Sequence, residues 1–337
     1  MSTQTQPMDI RKCIPGLLNN LIWVLIVLVV AGFSIATNKF LRLETLSNIL
    51  LHASVLGLLV VGQTLVFITG NFDLSAESTV GLSAFIGAWL ILPARSPANG
   101  SGLMVPVFAA ILIMLAVGSI VGWINGSLIT RLRMNNFIVT LAMQIALRGI
   151  VLVINNGFPV FGTPTEFNWL GSGRVGPIPV AIIVVILAFV VGFVALHRTR
   201  FGRELYAIGS NPRAAKVAGV NTDRRVRQVY IASGVFAAIA GLVLAGQVSA
   251  VTTDLGQNMT FDIFAAAVIG GVSLNGGRGN MLGALGGVLL LSALGAGLNL
   301  INISPFWLDP ARGLVILLAM LLDAQKTRFK LPAAATA

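Results

Sequence analysis

The chain has 337 residues, of which 56% are hydrophobic and only 10% are charged, and its mean hydropathy is +0.91. A soluble domain carries about 25% charged residues, so this composition excludes a protein with a large water-facing surface. The net charge of +11 does not indicate nucleic-acid binding, because the basic residues stand in short segments between apolar runs and not on a soluble face.

Apolar runs that approach the length of a membrane span recur along the chain. A span needs about 20 mostly apolar residues. The predicted spans are 17–36, 46–69, 74–92, 103–130, 137–155, 177–196, 228–249, 262–275, 281–301 and 310–323. The third, eighth and tenth are short or interrupted by glycine, so partial, re-entrant or tilted helices are expected there. The fold prediction is an all-α polytopic membrane protein of about ten helices, with one transmembrane domain, 17–323, between the tails 1–16 and 324–337.

The distribution of basic residues predicts the orientation of these spans. With ten spans and the N-terminus inside, sixteen Lys and Arg residues fall in cytoplasmic segments and four in external loops. Cytoplasmic loops are enriched in Lys and Arg, so both termini are predicted to be cytoplasmic. Arg148 and Arg312 lie near the ends of predicted spans. An arginine there can pair with a carboxylate or a carbonyl, or extend toward the lipid headgroups, so structural roles are expected for both.

The segment 197–227 is the one sizeable polar stretch on the predicted cytoplasmic side. Within it, Asn211 can cap a helix that begins at Pro212, and Gly219 supplies the left-handed residue that ends it. Two helical turns are unstable alone in water, so this helix is expected to dock on another protein. Small residues that admit a close approach are Ala214, Ala215 and Ala218. The alternatives are a solvated loop that only sets topology, or a helix lying on anionic headgroups.

Several runs share the pattern of one known family. In the polar segment the matching residues are Gly202, Arg203, Ala207, Ile208, Gly209, Asn211, Pro212, Ala214, Ala215 and Gly219. Further matching runs are 137–141 with Arg148 and Gly149, 266–279, 304–307 and 313–319. Over about residues 45–323, the chain therefore resembles the permease subunits of ribose-type ATP-binding-cassette importers.

The resemblance implies a complete import machine in a bacterial plasma (inner) membrane. Two permease copies, or one copy and a paralogue, would form the translocation path. A separate cytoplasmic ATPase would dock on the matching residues of 202–219, and an external binding protein would deliver a monosaccharide. It also implies that this chain carries no cofactor, because the partner subunit binds the ATP.

One run departs from the family pattern. The family usually has Gly-Gly-Ile-Asp-Leu-Ser-Val-Gly-Ser, and residues 70–78 have Gly-Asn-Phe-Asp-Leu-Ser-Ala-Glu-Ser. The candidate pathway residues in this run are Asn71, Asp73, Ser75, Glu77 and Ser78. A carboxylate at membrane depth usually faces a cavity or a partner. Glu77 is therefore expected either to contact a substrate hydroxyl or amine, or to pair with an arginine such as Arg148 or lie near the interface.

Other functions have less support in the sequence. The glycine-rich run 270–279 lacks the Gly-Lys-Ser/Thr ending of a phosphate loop, so nucleotide binding is not expected. His52 and His197 are far apart in the sequence, and neither a metal site nor catalytic chemistry is predicted. A transporter driven by protons or sodium is the alternative, with Glu77 and Asp262 as its candidate ion sites. Polyols, nucleosides and amino acids also remain open as solutes of an importer.

Overall fold

The computed structural model describes residues 21–95 and 98–302, together with residues 307, 310, 313, 314 and 317. In this part of the chain the helices are α1 (Leu21–Ala36), α2 (Leu43–Ile68), α3 (Ala76–Ile91), α4 (Val107–Arg131), α5 (Asn136–Ile154), α6 (Thr165–Ser172), α7 (Val180–Arg198), α8 (Arg200–Ser210), α9 (Pro212–Val217), α10 (Thr222–Val248), α11 (Met259–Ile269) and α12 (Met281–Leu300). Four short strands are β1 (Val160–Phe161), β2 (Arg174–Val175), β3 (Ile178–Pro179) and β4 (Ala250–Val251). The predicted tails 1–16 and 324–337, Arg312 and most of the tenth predicted span lie outside the described residues.

Each of the first nine predicted spans coincides with an apolar helix. Six of these helices, α2, α4, α5, α7, α10 and α12, are long and apolar enough to cross a membrane, and α1, α3 and α11 are shorter. The chain is therefore a largely helical, multi-pass membrane protein, as the composition predicted. The total of about ten spans and the cytoplasmic position of the termini stay predictions.

Helices α2 and α10 form the centre of the packing, and α4 packs closely against α10. Along α2, nearly every residue from 53 to 68 is buried. Gly118 and Gly122 of α4 lie four residues apart, and a Cβ atom on either would collide with the backbone oxygen of Gly234 or Tyr230 of α10. Small residues at this spacing let two helix backbones approach closely, which is a common way to pack helices inside a membrane.

Contacts between the connecting segments divide them into two groups, one at each end of the bundle. At one end, Arg133 donates two hydrogen bonds of 3.0 and 3.1 Å to Asp223 at the start of α10. The Tyr206 hydroxyl of α8 donates to the Gly279 carbonyl at 2.7 Å. We call this the basic end, because the connecting segments and helix ends there carry eleven of the Lys and Arg residues described.

The second group of connections meets at the opposite end. The side chain of Asn99 donates to the Pro159 carbonyl at 3.3 Å, and β1 pairs antiparallel with β4. Among the residues that the structure describes, the Lys and Arg side chains at this end are Lys39, Arg42, Arg95 and Arg174. The grouping of segments into two ends is the alternation that the predicted order of spans requires.

Helices α3 and α11 are shorter than the six long helices, which agrees with the partial helices predicted for the third and eighth spans. With 11 residues, α11 is about 16 Å long, against a hydrocarbon core of about 30 Å. The irregular stretch 252–258 precedes it, and Leu255 and Gly256 there are buried against α3. Irregular backbone is tolerated at membrane depth only where protein or a cavity surrounds it, and here α3 and α5 supply that cover.

Candidate functional site

The polar segment 197–227 contains two helices, α8 and α9, where the sequence predicted one. Thr199 begins α8, because its hydroxyl accepts a hydrogen bond from the Gly202 amide at 3.3 Å. The buried side of α8 consists of Gly202, Leu205 and Ile208, which are spaced three residues apart. That spacing among charged residues was the signal for an amphipathic helix. The prediction also placed the next span at 228, whereas α10 begins at Thr222.

Helix α9 has the ends that its sequence predicted. The Asn211 side chain accepts hydrogen bonds from the two following free amides at 3.1 and 3.0 Å, and Pro212 is the first helical residue. Gly219 has a φ of +83°, and the amide of Val220 donates to the carbonyl of Ala215 at 3.0 Å. This is a Schellman termination, in which a left-handed glycine satisfies the last carbonyls of the helix.

The residues predicted to contact an ATPase divide into an inner and an outer set. Gly202, Ile208 and Ala215 are buried within this chain, and Gly209 is half-buried. The exposed members are Arg203, Ala207, Asn211, Pro212, Ala214 and Gly219. Ala215, only 4% exposed, therefore anchors α9 and does not present itself to a partner. Val217 is 91% exposed and was missed by the sequence reasoning. We call the exposed members and Val217 the coupling surface.

The inner set joins the coupling surface to three membrane helices. A Cβ atom on Gly209 would overlap the carbonyl oxygen of Ile68, at the end of α2, and the amide of Gly277, between α11 and α12. Arg225 of α10 forms an ion pair with Glu204 of α8. The hydrogen bond from Arg225 lowers the pKa of the Glu204 carboxyl below its usual value, so Glu204 remains ionised at neutral pH.

Asp73 and Ser75 form a buried polar cluster with residues from α4 and α10. One carboxylate oxygen of Asp73 accepts from the Ser75 hydroxyl at 2.7 Å, and the other accepts from the Ser233 hydroxyl at 2.9 Å. The Asn125 side chain in turn donates to the Ser75 hydroxyl at 2.8 Å. Tyr230 donates to the carbonyl of the residue before Asp73 at 2.6 Å. Together, these bonds fix the extended chain between α2 and α3.

Glu77 lies in the first turn of α3, is 5% exposed, and contacts two other helices. Its carboxylate accepts from the Gln144 side chain of α5 at 2.6 Å and from the backbone amide of Thr260 at 2.9 Å. Thr260 is the second residue of α11, so the carboxylate caps the N-terminus of that half-helix. A negative charge is favourable there, because it meets unpaired amides and the positive end of the helix dipole.

Two other residues of interest in this region, Arg148 and Asn71, have protein partners as well. Arg148 donates to the carbonyls of Thr253 and Leu255 at 2.9 and 3.3 Å, and the described residues contain no ion pair between Arg148 and Glu77. Asn71 is half-buried and accepts from the Asn136 side chain at 3.1 Å. Ser78 is buried. The pathway role of the run 71–78 stays a prediction.

Two adjoining cavities lie nearer the opposite end of the bundle. The larger, of about 460 Å³, lies between α2, α11 and α12, and the smaller, of about 290 Å³, shares Asn48 and His52 with it. None of the five candidate pathway residues lines either cavity. The polar residues lining the larger cavity are Thr45, Asn48, His52, Asp262, Ser292 and Asn299. Of these residues, only His52 and Asp262 were considered in the sequence, His52 for a metal site and Asp262 for an ion site.

Comparison with known proteins places the chain in a family. Residues 45–322 match the family described as branched-chain amino acid transport system / permease component. The chain belongs to this family. It is therefore a permease component of a transport system.

Individual relatives match nearly the whole chain. The ribose import permease protein of Bacillus subtilis (strain 168) is 37% identical over 308 residues, covering 91% of each chain. The galactose/methyl galactoside import permease protein of Escherichia coli (strain K12) is 35% identical over 322 residues, covering 90% of this chain and 94% of the relative. No solved structure matches the chain significantly.

Proposed function

We propose that this chain is the membrane-spanning subunit of an ATP-driven importer, and that the imported solute is a monosaccharide. The names of the relatives, which are ribose and galactose import permeases, support the solute class. The proposal includes about ten spans in a bacterial inner membrane, with both termini and the basic end in the cytoplasm. The excess of Lys and Arg at the basic end supports this orientation.

The coupling surface is the observation that carries the proposal. A helix as short as α9 is marginal alone, yet both of its ends are capped and Ala215 anchors it to the rest of the chain. Its outer face presents Val217, an apolar side chain that is 91% exposed in the chain alone. A separate cytoplasmic ATPase that covers Val217 and Ala214 would account for an ordered, outward-facing helix at this place.

The proposed assembly also includes an external solute-binding protein and a second permease copy or paralogue. The chain itself would be non-catalytic and free of cofactors, with ATP bound only by the partner subunit. Energy would then reach the membrane helices through the contacts of α8 with Ile68 and Gly277.

The test is ATP-dependent uptake of labelled D-ribose and D-galactose in proteoliposomes that contain the permease, its ATPase and its binding protein. Val217→Glu places a carboxylate in the proposed contact, and leaving such a group unsatisfied costs about 1–3 kcal/mol. We therefore expect roughly five- to 150-fold weaker ATPase association at normal permease abundance. Val175→Glu is the matched control, because Val175 is also exposed but lies at the opposite end.

Full ATPase association and full uptake by Val217→Glu would show that this surface is not the docking site. Uptake that follows an ion gradient without the ATPase would instead select the secondary transporter. If the complete wild-type assembly takes up neither sugar, the proposal that the solute is a monosaccharide is wrong.

A further inference from the structure

The larger cavity is lined by two polar stripes that face each other. On α2, Thr45, Asn48 and His52 follow at intervals of three and four residues, and on α12, Ser292 and Asn299 are seven residues apart. Side chains at these spacings share one face of a helix. Asp262, in the first turn of α11, completes the polar lining.

His52 lies at the start of the apolar part of α2. His52 is nine residues into α2, which is about 14 Å along a helix that ends at the basic end. A carboxylate or an imidazole exposed to hydrocarbon at such a depth is unfavourable, so ionisable residues in spans usually face the bundle interior or a water-filled cavity. The polar side chains that line this space therefore suit a polar solute.

We propose that this cavity is a binding site for a monosaccharide on its way through the membrane. The inference rests on the proposed function and adds the place where the solute is held. The volume of about 460 Å³ lies in the range of small-molecule sites, about 300–1,000 Å³. The Asp262 carboxylate can accept hydrogen bonds from sugar hydroxyls, and the Asn48 and Asn299 amides can both donate and accept them.

Apolar side chains complete the match to a sugar. Leu56, Met259 and Leu291 also line the cavity and offer a surface to the C–H groups of a sugar ring. The smaller cavity continues from Asn48 and His52 toward Gln247 and Arg174, at the opposite end. A solute that enters from that end would therefore meet polar side chains along its route to Asp262.

The lining favours a neutral polyhydroxylated solute over an amino acid. An amino acid needs a cation for its carboxylate in addition to an anion for its ammonium group. Among the described residues that line the larger cavity there is neither a Lys nor an Arg. Binding of an amino acid is therefore the competing outcome of the test.

A steric variant tests the site without removing any hydrogen bond. Gly295 lines the cavity, and a Cβ atom added there meets no atom within 4 Å. Gly295→Leu should therefore fold normally and fill part of the cavity. Gly149→Leu is the control, because Gly149 on α5 also has open space around it and lies outside the cavity. In the complete transporter, we expect Gly295→Leu to lower uptake of D-ribose and D-galactose at least roughly tenfold and the control to transport normally.

Two polar variants test the hydrogen bonds proposed for the sugar. A hydrogen bond to a charged group contributes about 1.5–3 kcal/mol, so Asp262→Asn should lower Vmax/KM for uptake roughly 10- to 150-fold. Ser292→Ala should lower it severalfold, whereas Ser119→Ala on α4, outside the cavity, should not. ATPase association should be unchanged in all of these variants.

The outcomes distinguish this inference from the proposed function. If Gly295→Leu and Asp262→Asn both transport with wild-type Vmax/KM, the cavity is not on the pathway, although the chain remains an importer subunit. If excess leucine blocks uptake through the wild-type transporter and excess D-ribose or D-galactose does not, the proposed solute class, a monosaccharide, is wrong. If the complete wild-type assembly takes up neither sugar, both the proposed function and this inference fail.

Discussion

Helices α8 and α9 together form what we call the coupling segment. Replacing Gly209 with alanine should release this segment from the membrane helices. Gly209 is the second-last residue of α8, and its missing side chain leaves room for the ends of two other elements. An added Cβ atom would overlap the Ile68 carbonyl oxygen and the Gly277 amide, and those two groups hydrogen-bond to each other at 2.9 Å. Both are backbone groups, so neither can rotate away as a side chain would.

The size of the effect follows from three contributions. Overpacking costs about 1–3 kcal/mol, and loss of the bond between Gly277 and Ile68 costs about 0.5–1.5 kcal/mol. The better helix propensity of alanine returns up to about 1 kcal/mol. With the full 1 kcal/mol returned, the net is about 0.5–3.5 kcal/mol, which corresponds to roughly a two- to 300-fold increase in the population with α8 undocked.

Trypsin cleavage in inside-out membrane vesicles measures this population. Arg203 and Arg213 stand in the coupling segment, and cleavage of a briefly opened state tracks the population of that state when reclosing is fast. Gly209→Ala should therefore be cleaved there roughly two- to 300-fold faster, and its uptake should fall. Gly149→Ala is the matched control, because a Cβ atom at Gly149 meets nothing within 4 Å. A normally inserted Gly209→Ala protein with wild-type cleavage and wild-type uptake would show that Gly209 does not hold α8 against the membrane helices.

Three further predictions concern single residues. Glu77→Gln should lower the thermal unfolding midpoint in detergent, because it removes the charge that caps α11. The expected loss in the free energy of unfolding is about 0.5–2 kcal/mol. A changed KM for uptake at normal stability would instead show that Glu77 contacts the solute. The pKa of Glu204 is lowered in the folded protein, so its pair with Arg225 stabilises at neutral pH and is lost as pH falls through the folded pKa, below the ordinary 4.5. A fluorophore attached at Arg213→Cys, in a Cys13→Ser background, should therefore report a constant environment from about pH 8 to 5 and a shift in emission only below that range. The Glu204→Gln variant should show the same shift already at pH 7. The absence of that shift would contradict a role of the ion pair in holding α8. In intact cells, an impermeant maleimide should label Arg174→Cys but not Lys216→Cys, and labelling of Lys216→Cys from outside would overturn the proposed orientation.

The features that the sequence predicted well are those set by local chemistry. Apolar length alone located nine helices, because each span must satisfy its own backbone in lipid. The ends of α9 were predictable for the same reason, since Asn211, Pro212 and Gly219 act within a few residues of one another. The short length of α11 was indicated by its glycine-interrupted run.

The features that the sequence did not predict depend on contacts between distant segments. Ala215 is as small as Ala214, and only the packing of α9 shows that one is buried and the other exposed. One partner of Glu77 is a backbone amide 183 residues away, which no side-chain pattern indicates. The cavity was missed although Thr45, Asn48 and His52 have helical spacing, because its lining needs residues from three separate helices.

The contacts at the basic end connect the coupling segment to the helices that line the larger cavity. Gly209 of α8 packs against the end of α2 at Ile68 and against Gly277, in the connection between α11 and α12. These three helices supply His52, Asp262 and the polar stripe of α12. Because the neighbours of Gly209 are backbone atoms in close contact, α8 cannot shift toward them without moving the ends of these helices. A partner that displaces α8 would thus act on all three cavity helices through one glycine. The hydrogen bonds of Asp73 and Glu77 belong to a different set of contacts, which hold α3 and the residues before it against α4, α5, α10 and the start of α11.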